Sequence, residues 1–214
     1  MATCGAAYYE QALTAFAGWR TRQYDEAVID QYRSWWLEHK LTKPTHHRLV
    51  SNPPVEVDLG SRPRVIWFGQ VHNDAARLWQ VSYEERKALY EDALRIGAWF
   101  KPHPYDDVYD AYYSGAGLRV LPRNLSIHSL IPQVDAIMVA NSNVGMEAFM
   151  FDKPVAVYGR PIYGFPELVN DGIDQALDAP RVDWGARGRY LSYIRDHHHL
   201  EDTNHLLHRI RQLY

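Results

Sequence analysis

Three short polar segments carry the side chains best suited to chemistry, and each follows an apolar run of strand length. The segments are "GQVHND", "KPHP" and "NSNVGMEA". Their candidate residues are amides, imidazoles, carboxylates, a lysine, a serine and a glycine: Gln70, His72, Asp74, Lys101, His103, Ser142, Asn143, Gly145 and Glu147. In an open parallel sheet, ligands bind at the edge where the carboxyl ends of the strands meet. We therefore expect the three segments to form one site.

The third segment is a polar turn that runs into a short apolar helix, predicted over 144–151. A helix N-terminus presents backbone N–H groups and favours a phosphate. Ser142 and Asn143 add side-chain donors, and Gly145 allows close approach to the backbone. Glu147 could accept hydrogen bonds from both hydroxyls of a ribose. Ordinary helix capping uses the same residue types, so this segment alone leaves both interpretations open.

The other two segments offer an imidazole, an amine and a carboxylate. His103 lies between two prolines and could donate to a phosphate or protonate a leaving group. Lys101 could neutralise phosphate charge, or could simply end a strand. Asp74 follows Gln70 by four residues and could act as a nucleophile or base toward a sugar carbon. The alternatives are a turn histidine and a loop aspartate with no chemical role.

The elements that must position these side chains begin at residue 64. Short apolar runs typical of buried strands are "RVIWFGQV", "AWFK", "LRVLP", "DAIMVA" and "PVAVYG". Between them, "SYEERKALYEDALRIG" predicts a helix with Ser82 as N-cap, Glu85 completing a capping box and Gly97 ending it. "DDVYDAYYSGAG" and "SIHSLIPQV" predict shorter helices, the second capped by Ser126. The alternation predicts an α/β fold with a Rossmann-like parallel sheet.

The remaining sequence predicts helical segments on both sides of this sheet. Residues 1–60 favour two helices broken near 21–24, followed by a proline-rich connection, with no clear strand before residue 64. Residues 61–180 form the predicted Rossmann-like domain, and residues 181–214 predict two C-terminal helices.

Composition limits the class of protein. A hydrophobic content of 46% with 23% charged residues is typical of a globular chain with a real core. The net charge of −3 gives no global basic field for nucleic acid. The sequence has a single cysteine, Cys4, no apolar run of membrane length, and an N-terminus unlike a signal peptide. These features predict a cytoplasmic protein. The histidines at 197–199 are not predicted to bind a metal, since neighbouring side chains on a helix point in different directions.

The three segments together resemble the bacterial capsule polysaccharide synthesis family, which includes retaining β-Kdo glycosyltransferases. The resemblance covers roughly residues 35–170. It rests on "GQVHNDAA", "WFKPHP", "SIHSLIPQVDAIMVANSNVGMEAFMFDKPVAVYGRPIYG" and, more faintly, "LTKPT". "KPHP" is also similar to the His-Pro motif of bacterial sialyltransferases that use CMP-sugars.

The resemblance implies a GT-B glycosyltransferase, in which two Rossmann-like domains face each other across a cleft. This chain would correspond to the C-terminal, nucleotide-binding half, with CMP-Kdo as donor and a glycolipid or polysaccharide as acceptor. His103 would contact the nucleotide phosphate, the turn at 142–145 would support the nucleotide, and Glu147 would hold the ribose. Asp74 would be the nucleophile of a double displacement, oriented by Gln70. No metal or cofactor is required by this chemistry.

The segment before residue 61 is too short for the N-terminal domain that such an enzyme uses for its acceptor, so we expect most of that domain to be missing. Two alternatives stay open: a non-catalytic nucleotide-binding module, and a GT-B-like enzyme that uses a UDP-sugar. The family also implies capsule-assembly proteins as partners and a location at the inner face of the cytoplasmic membrane.

Overall fold

The structure of the protein is a computed structural model that describes residues 17–38, 56–71, 80–106 and 116–198, with the backbone alone at 195–198. The helices and strands, in chain order, are α1 (Glu26–Glu38), β1 (Val65–Phe68), α2 (Tyr83–Arg95), β2 (Trp99–Lys101), β3 (Arg119–Val120), α3 (Ile127–Leu130), β4 (Ala136–Val139), α4 (Val144–Glu147), β5 (Val155–Val157), β6 (Asn170–Asp171), α5 (Ile173–Asp178) and α6 (Trp184–His198). Short 3₁₀ helices cover Ala17–Thr21, Ile131–Gln133 and Ala148–Phe151.

The six strands form one parallel sheet in the order β3-β2-β1-β4-β5-β6. In its register, Ile66 of β1 lies opposite Trp99 of β2 on one side and Ile137 of β4 on the other. This is the strand order of dinucleotide-binding domains. Strands β2 and β3 are added on one side of β1, and β4, β5 and β6 on the other, which leaves a crevice at the carboxyl ends of β1 and β4. The predicted fold class, an α/β Rossmann-like parallel sheet, is confirmed.

Both faces of the sheet are covered, which explains why the central strands β1 and β4 are continuously apolar. All four residues of β1 are buried, and their side chains alternate between two core layers. Ile66 and Phe68 join the layer that contains residues of α1, α3 and α6. Val65 and Trp67 join the layer that contains residues of α2 and α5.

The caps predicted for α2 are confirmed. The Ser82 hydroxyl accepts a hydrogen bond from the Glu85 N–H at 3.1 Å, and the Glu85 carboxylate accepts one from the Ser82 N–H at 2.5 Å. Gly97, with φ of +65°, follows the end of the helix as predicted. The helix predicted over 144–151 is present as α4 and the 3₁₀ helix that continues it.

The described parts of the two terminal segments pack against each other and against the sheet's core. The predicted break near 21–24 is confirmed, because the first 3₁₀ helix ends at Thr21 and α1 begins at Glu26. Trp19 meets Tyr190 of α6 edge-on, with ring centroids 6.0 Å apart, and both rings belong to one core layer. The domain boundaries at 60 and 180 stay a prediction.

Three predicted helices fall wholly or mostly on residues that the structure does not describe. They are the first helix of the N-terminal segment, most of "DDVYDAYYSGAG" and the second C-terminal helix. Most of the proline-rich connection also lies outside the described residues. The helices that are described include none with both the length and the apolar character needed to cross a bilayer.

Candidate functional site

The crevice between β1 and β4 is bridged by a buried amide network centred on Asn141. The Asn141 N–H donates to Gln70 Oε1 at 3.3 Å, and its side-chain Nδ2 donates to Gln80 Oε1 at 3.0 Å. Asn141 itself is only 7% exposed. Gln70 and Gln80 lie on either side of the segment 72–79. A single residue, Asn141 in the loop after β4, therefore fixes the chain on both sides of that segment.

We expect Asn141→Ala to lower the free energy of unfolding by about 1–2 kcal/mol, because it removes a hydrogen bond and leaves the Gln80 carbonyl oxygen without that donor. Asn143→Ala is the matched control, since Asn143 is exposed and makes no capping hydrogen bond. The control should change the free energy by less than about 0.5 kcal/mol. Urea denaturation of both variants measures the difference, and equal losses would contradict the role assigned to the network.

The turn at 142–145 uses part of its own hydrogen-bonding capacity internally. The Gly145 N–H donates to the Ser142 carbonyl at 3.0 Å, and the Val144 N–H donates to Ser142 Oγ at 3.3 Å. A hydroxyl that accepts a bond still has its own proton to donate. The turn can therefore offer an anion the Ser142 hydroxyl and the exposed Asn143 amide, whereas these two backbone N–H groups serve the turn itself.

Gly145 and Glu147 lie deeper than the sequence suggests. A Cβ at position 145 would come within 2.7 Å of Tyr163 Cζ, so the close approach that this glycine permits is made by a tyrosine ring. Glu147, at the end of α4, is half-buried and its Oε2 is shielded from solvent. A ribose could reach Oε2 only if the covering groups moved.

His103 follows β2 and is held in one orientation. Its Nδ1 accepts a hydrogen bond from the Tyr105 N–H at 3.2 Å, and its ring stacks on the Tyr105 ring with centroids 5.8 Å apart. Its carbonyl accepts from the Asp106 N–H at 2.9 Å. A neutral imidazole that accepts at Nδ1 carries its proton on Nε2. The half-buried ring is thus set up as an Nε2–H donor, the group that a phosphate oxygen requires.

Lys101 points into the protein. It is 3% exposed, and its Nζ donates to the Arg123 carbonyl at 2.8 Å, on the loop that follows β3. The Lys101 carbonyl also accepts from the Gly69 N–H at 2.9 Å. These contacts join the loops after β1, β2 and β3, and they favour a role in holding those loops in place.

The structure brings some of the predicted residues together. Because β1 lies between β2 and β4, the segments that carry Gln70, His103 and Ser142 emerge side by side at one edge of the sheet. Asp74 and His72 lie outside the described residues. The sequence does not mark Asn141 or Tyr163 as site residues, although both fall within the long segment on which the family resemblance rests.

Three comparisons bear on the identity of the chain. A family model described as "Capsule polysaccharide biosynthesis protein" matches residues 61–199. No curated protein matches the sequence significantly. Among solved structures, the chain is similar to the β-Kdo 2,7 transferase of Thermosulfurimonas dismutans KpsC, with 19% identity, a TM-score of 0.50, and coverage of 87% of this chain and 57% of that one. It is also similar to the β-Kdo 2,4 transferase of the same protein, with 17% identity, a TM-score of 0.52, and coverage of 78% and 56%.

The chain thus spans a little over half the length of these two structures, and at such low identity the likeness establishes the fold. The family match is broader evidence, because it extends over well more than half of the 214 residues and includes every described site segment. The chain therefore belongs to the capsule polysaccharide biosynthesis protein family.

Proposed function

We propose that this chain is the nucleotide-binding half of a retaining glycosyltransferase of capsule polysaccharide biosynthesis. It would transfer Kdo, or a related acidic sugar, from a CMP-activated donor to a glycolipid or polysaccharide acceptor. The carrying observation is the cluster of polar side chains at the carboxyl ends of β1, β2 and β4, around the crevice where such sheets bind nucleotides. The family match and the Kdo transferases with the same fold support the choice of sugar.

In this proposal the phosphate of the donor is the main anchor. His103 donates from Nε2, and the Ser142 hydroxyl and the Asn143 amide donate from the neighbouring turn. Glu147 binds a ribose hydroxyl. Lys101 acts at a distance by holding the loops, as its buried contact with the Arg123 carbonyl suggests. Hydrogen bonds that stabilise the developing negative charge make CMP a better leaving group, and this mechanism requires no metal or cofactor.

Asp74 supplies the nucleophile in the same proposal. Its carboxylate attacks the anomeric carbon while the bond from that carbon to the CMP oxygen breaks, which leaves a glycosyl ester on the protein. The acceptor hydroxyl then displaces the ester. Two inversions give net retention. Gln70 would orient Asp74 from the beginning of the segment that carries it, where its own Oε1 is already fixed by Asn141.

Calorimetric titration with CMP, with UDP as the control nucleotide, tests the nucleotide site. We expect CMP to bind more tightly than UDP, and His103→Ala to weaken CMP by about 10- to 100-fold, the range expected for a lost hydrogen bond to a charged group. Lys87→Ala removes an exposed cation of α2 and should leave CMP affinity unchanged.

Each other result points to a different function. Tighter binding of UDP would favour a GT-B-like enzyme that uses a UDP-sugar. CMP binding without any reaction of a CMP-activated sugar would favour a non-catalytic binding module. Failure of the folded chain to bind either nucleotide would contradict the proposal. The proposal also includes a glycolipid or polysaccharide acceptor, capsule-assembly partners and a cytoplasmic location at the membrane's inner face.

A further inference from the structure

Tyr163 lies beneath the turn at 142–145. It is completely buried, and its hydroxyl donates a hydrogen bond to the Ser142 carbonyl. The edge of the ring packs against Phe149, with centroids 5.8 Å apart and planes at 86°. The turn follows β4 whereas Tyr163 follows β5, so the tyrosine connects the loops of two neighbouring strands.

The turn and the tyrosine fit each other closely. The Ser142 carbonyl accepts from both the Tyr163 hydroxyl and the Gly145 N–H, the latter at 3.0 Å. A Cβ at position 145 would lie 2.7 Å from Tyr163 Cζ and 2.8 Å from Cε2, closer than real Cβ atoms approach. Glycine at 145 is therefore the residue that lets the ring lie against the turn while its hydroxyl reaches the carbonyl.

The backbone around Tyr163 is itself held in place. The Gly164 N–H donates to the Pro161 carbonyl at 2.9 Å, and the Phe165 N–H donates to the Tyr163 carbonyl at 2.8 Å. Phe165 is buried in the same core layer as Tyr163. A ring fixed on both sides can impose a conformation on the turn, whereas a mobile ring could only follow it.

We propose that Tyr163 is a positioning residue that holds Ser142 and Asn143 where they can bind the phosphate of the nucleotide. This inference rests on the proposed function. The Ser142 carbonyl and Oγ are both fixed by contacts within the turn and to Tyr163, so loss of the tyrosine hydroxyl removes one of the bonds that hold the residue that donates to the phosphate. In the proposal the base of the nucleotide makes no contact with this turn, and the ribose contact, Glu147, follows the turn at the end of α4. Loosening the turn should therefore weaken binding of the phosphate selectively.

Tyr163→Phe tests the inference because it removes the hydroxyl and keeps the ring. We expect the dissociation constant for CMP to rise about 3- to 10-fold, the net value of one hydrogen bond, and that for cytidine to change less than about 2-fold. Calorimetry measures CMP, and ligand-observed NMR reaches the weaker cytidine. A role limited to overall stability would lower the folded fraction and so weaken both ligands by the same factor.

Tyr158→Phe is the matched control. Tyr158 is a tyrosine of similar depth, 9% exposed, whose hydroxyl donates to Asp92 at 2.7 Å and accepts from the Ile173 N–H at 3.1 Å, away from the turn. Loss of the Tyr158 hydroxyl should leave CMP affinity within about 2-fold of the wild type. If cytidine binds too weakly to measure, the ratio of CMP dissociation constants between the two variants decides the question.

Gly145→Ala gives a second approach that leaves Tyr163 in place. The added methyl group and the ring cannot occupy the same space, so the turn must move, and CMP affinity should fall by a larger factor than cytidine affinity. The inference is overturned if the wild type binds CMP and Tyr163→Phe matches Tyr158→Phe, or if Gly145→Ala weakens both ligands equally. A wild type that binds no CMP overturns the proposed function, and this inference with it.

Discussion

Asp74→Asn is expected to slow the reaction of a CMP-activated sugar by about 10³-fold or more, while CMP affinity stays within about 3-fold of the wild type. An amide is nearly isosteric with a carboxylate but is a very poor nucleophile, so the first displacement should fail. The nucleotide contacts proposed for His103 and Ser142 do not depend on that carboxylate. Chromatography measures the rate at which CMP is released from the donor, and this measurement does not require the acceptor to be known.

The covalent intermediate gives an independent measurement. Incubation of the wild type with donor alone should add the mass of one sugar to the protein, located on Asp74 by peptide mapping, and Asp74→Asn should gain nothing. Asp178→Asn is the control, because Asp178 is an exposed carboxylate at the end of α5. Undiminished CMP release by Asp74→Asn, or an adduct on another residue, would refute the nucleophile assignment.

Arg187→Ala is expected to lower the free energy of unfolding by about 3–5 kcal/mol, the cost of a large cavity together with lost hydrogen bonds. Arg187 is completely buried in α6, and its guanidinium lies 4.6 Å from the centre of the Phe149 ring. Its Nη2 donates to the carbonyls of Lys153 (2.9 Å), Arg181 (3.2 Å) and Leu168 (3.4 Å). Arg187 thus connects α6 to three segments: the residues before β5, the loop between β5 and β6, and the loop after α5.

Burial of the Arg187 charge opposes folding, in addition to the favourable packing of the side chain. Burial lowers the pKa of Arg187 from its ordinary 12.5 to about 10. A depressed pKa of a cation means that folding disfavours the charged form, so burial of this charge opposes folding. Its Nε and Nη1 also have no hydrogen-bond partner among the described residues. Both variants remove this charge, so the difference between them reports packing. Arg187→Met keeps most of the volume and should lose about half as much stability as Arg187→Ala.

Chemical denaturation of the two Arg187 variants measures these losses. Arg160→Ala, at an exposed arginine, is the control and should change the free energy of unfolding by less than about 0.5 kcal/mol. A loss below about 1 kcal/mol in Arg187→Ala, or equal losses in the Ala and Met variants, would contradict the packing argument.

Much of the fold could be predicted because the relevant signals are local. Ser82 and Glu85 lie three residues apart and close a capping box without help from the rest of the chain. The four-residue apolar runs of β1 and β4 mark strands buried on both faces. By contrast, β6 is two residues long and contains Asn170 and Asp171, so no apolar run marks it; its pairing with β5 and the Asn170 bonds to Val155 and Arg181 are tertiary. The short helix α5 that follows was missed for the same reason.

The site could be predicted only in part, because sequence shows which residues follow a strand but not where their side chains point. Gln70, His103 and Ser142 emerge side by side as expected from the strand order. Lys101 occupies the last position of β2, yet its ammonium turns inward to the Arg123 carbonyl, 22 residues away. The role of Gly145 in ligand approach stays a prediction, and the atoms nearest to a Cβ at that position belong to Tyr163, 18 residues later. Such pairings depend on the packing of neighbouring loops.

Hydrogen–deuterium exchange of the chain with and without saturating CMP tests most directly the claim that a nucleotide binds at the crevice between β1 and β4. We expect slower exchange in peptides that cover 68–71, 101–106 and 140–147, and unchanged exchange in peptides of β6 and α5 at 170–178. UDP should give weaker protection of the same peptides. Protection confined to β6 and α5, or no protection in a folded chain, would contradict the account.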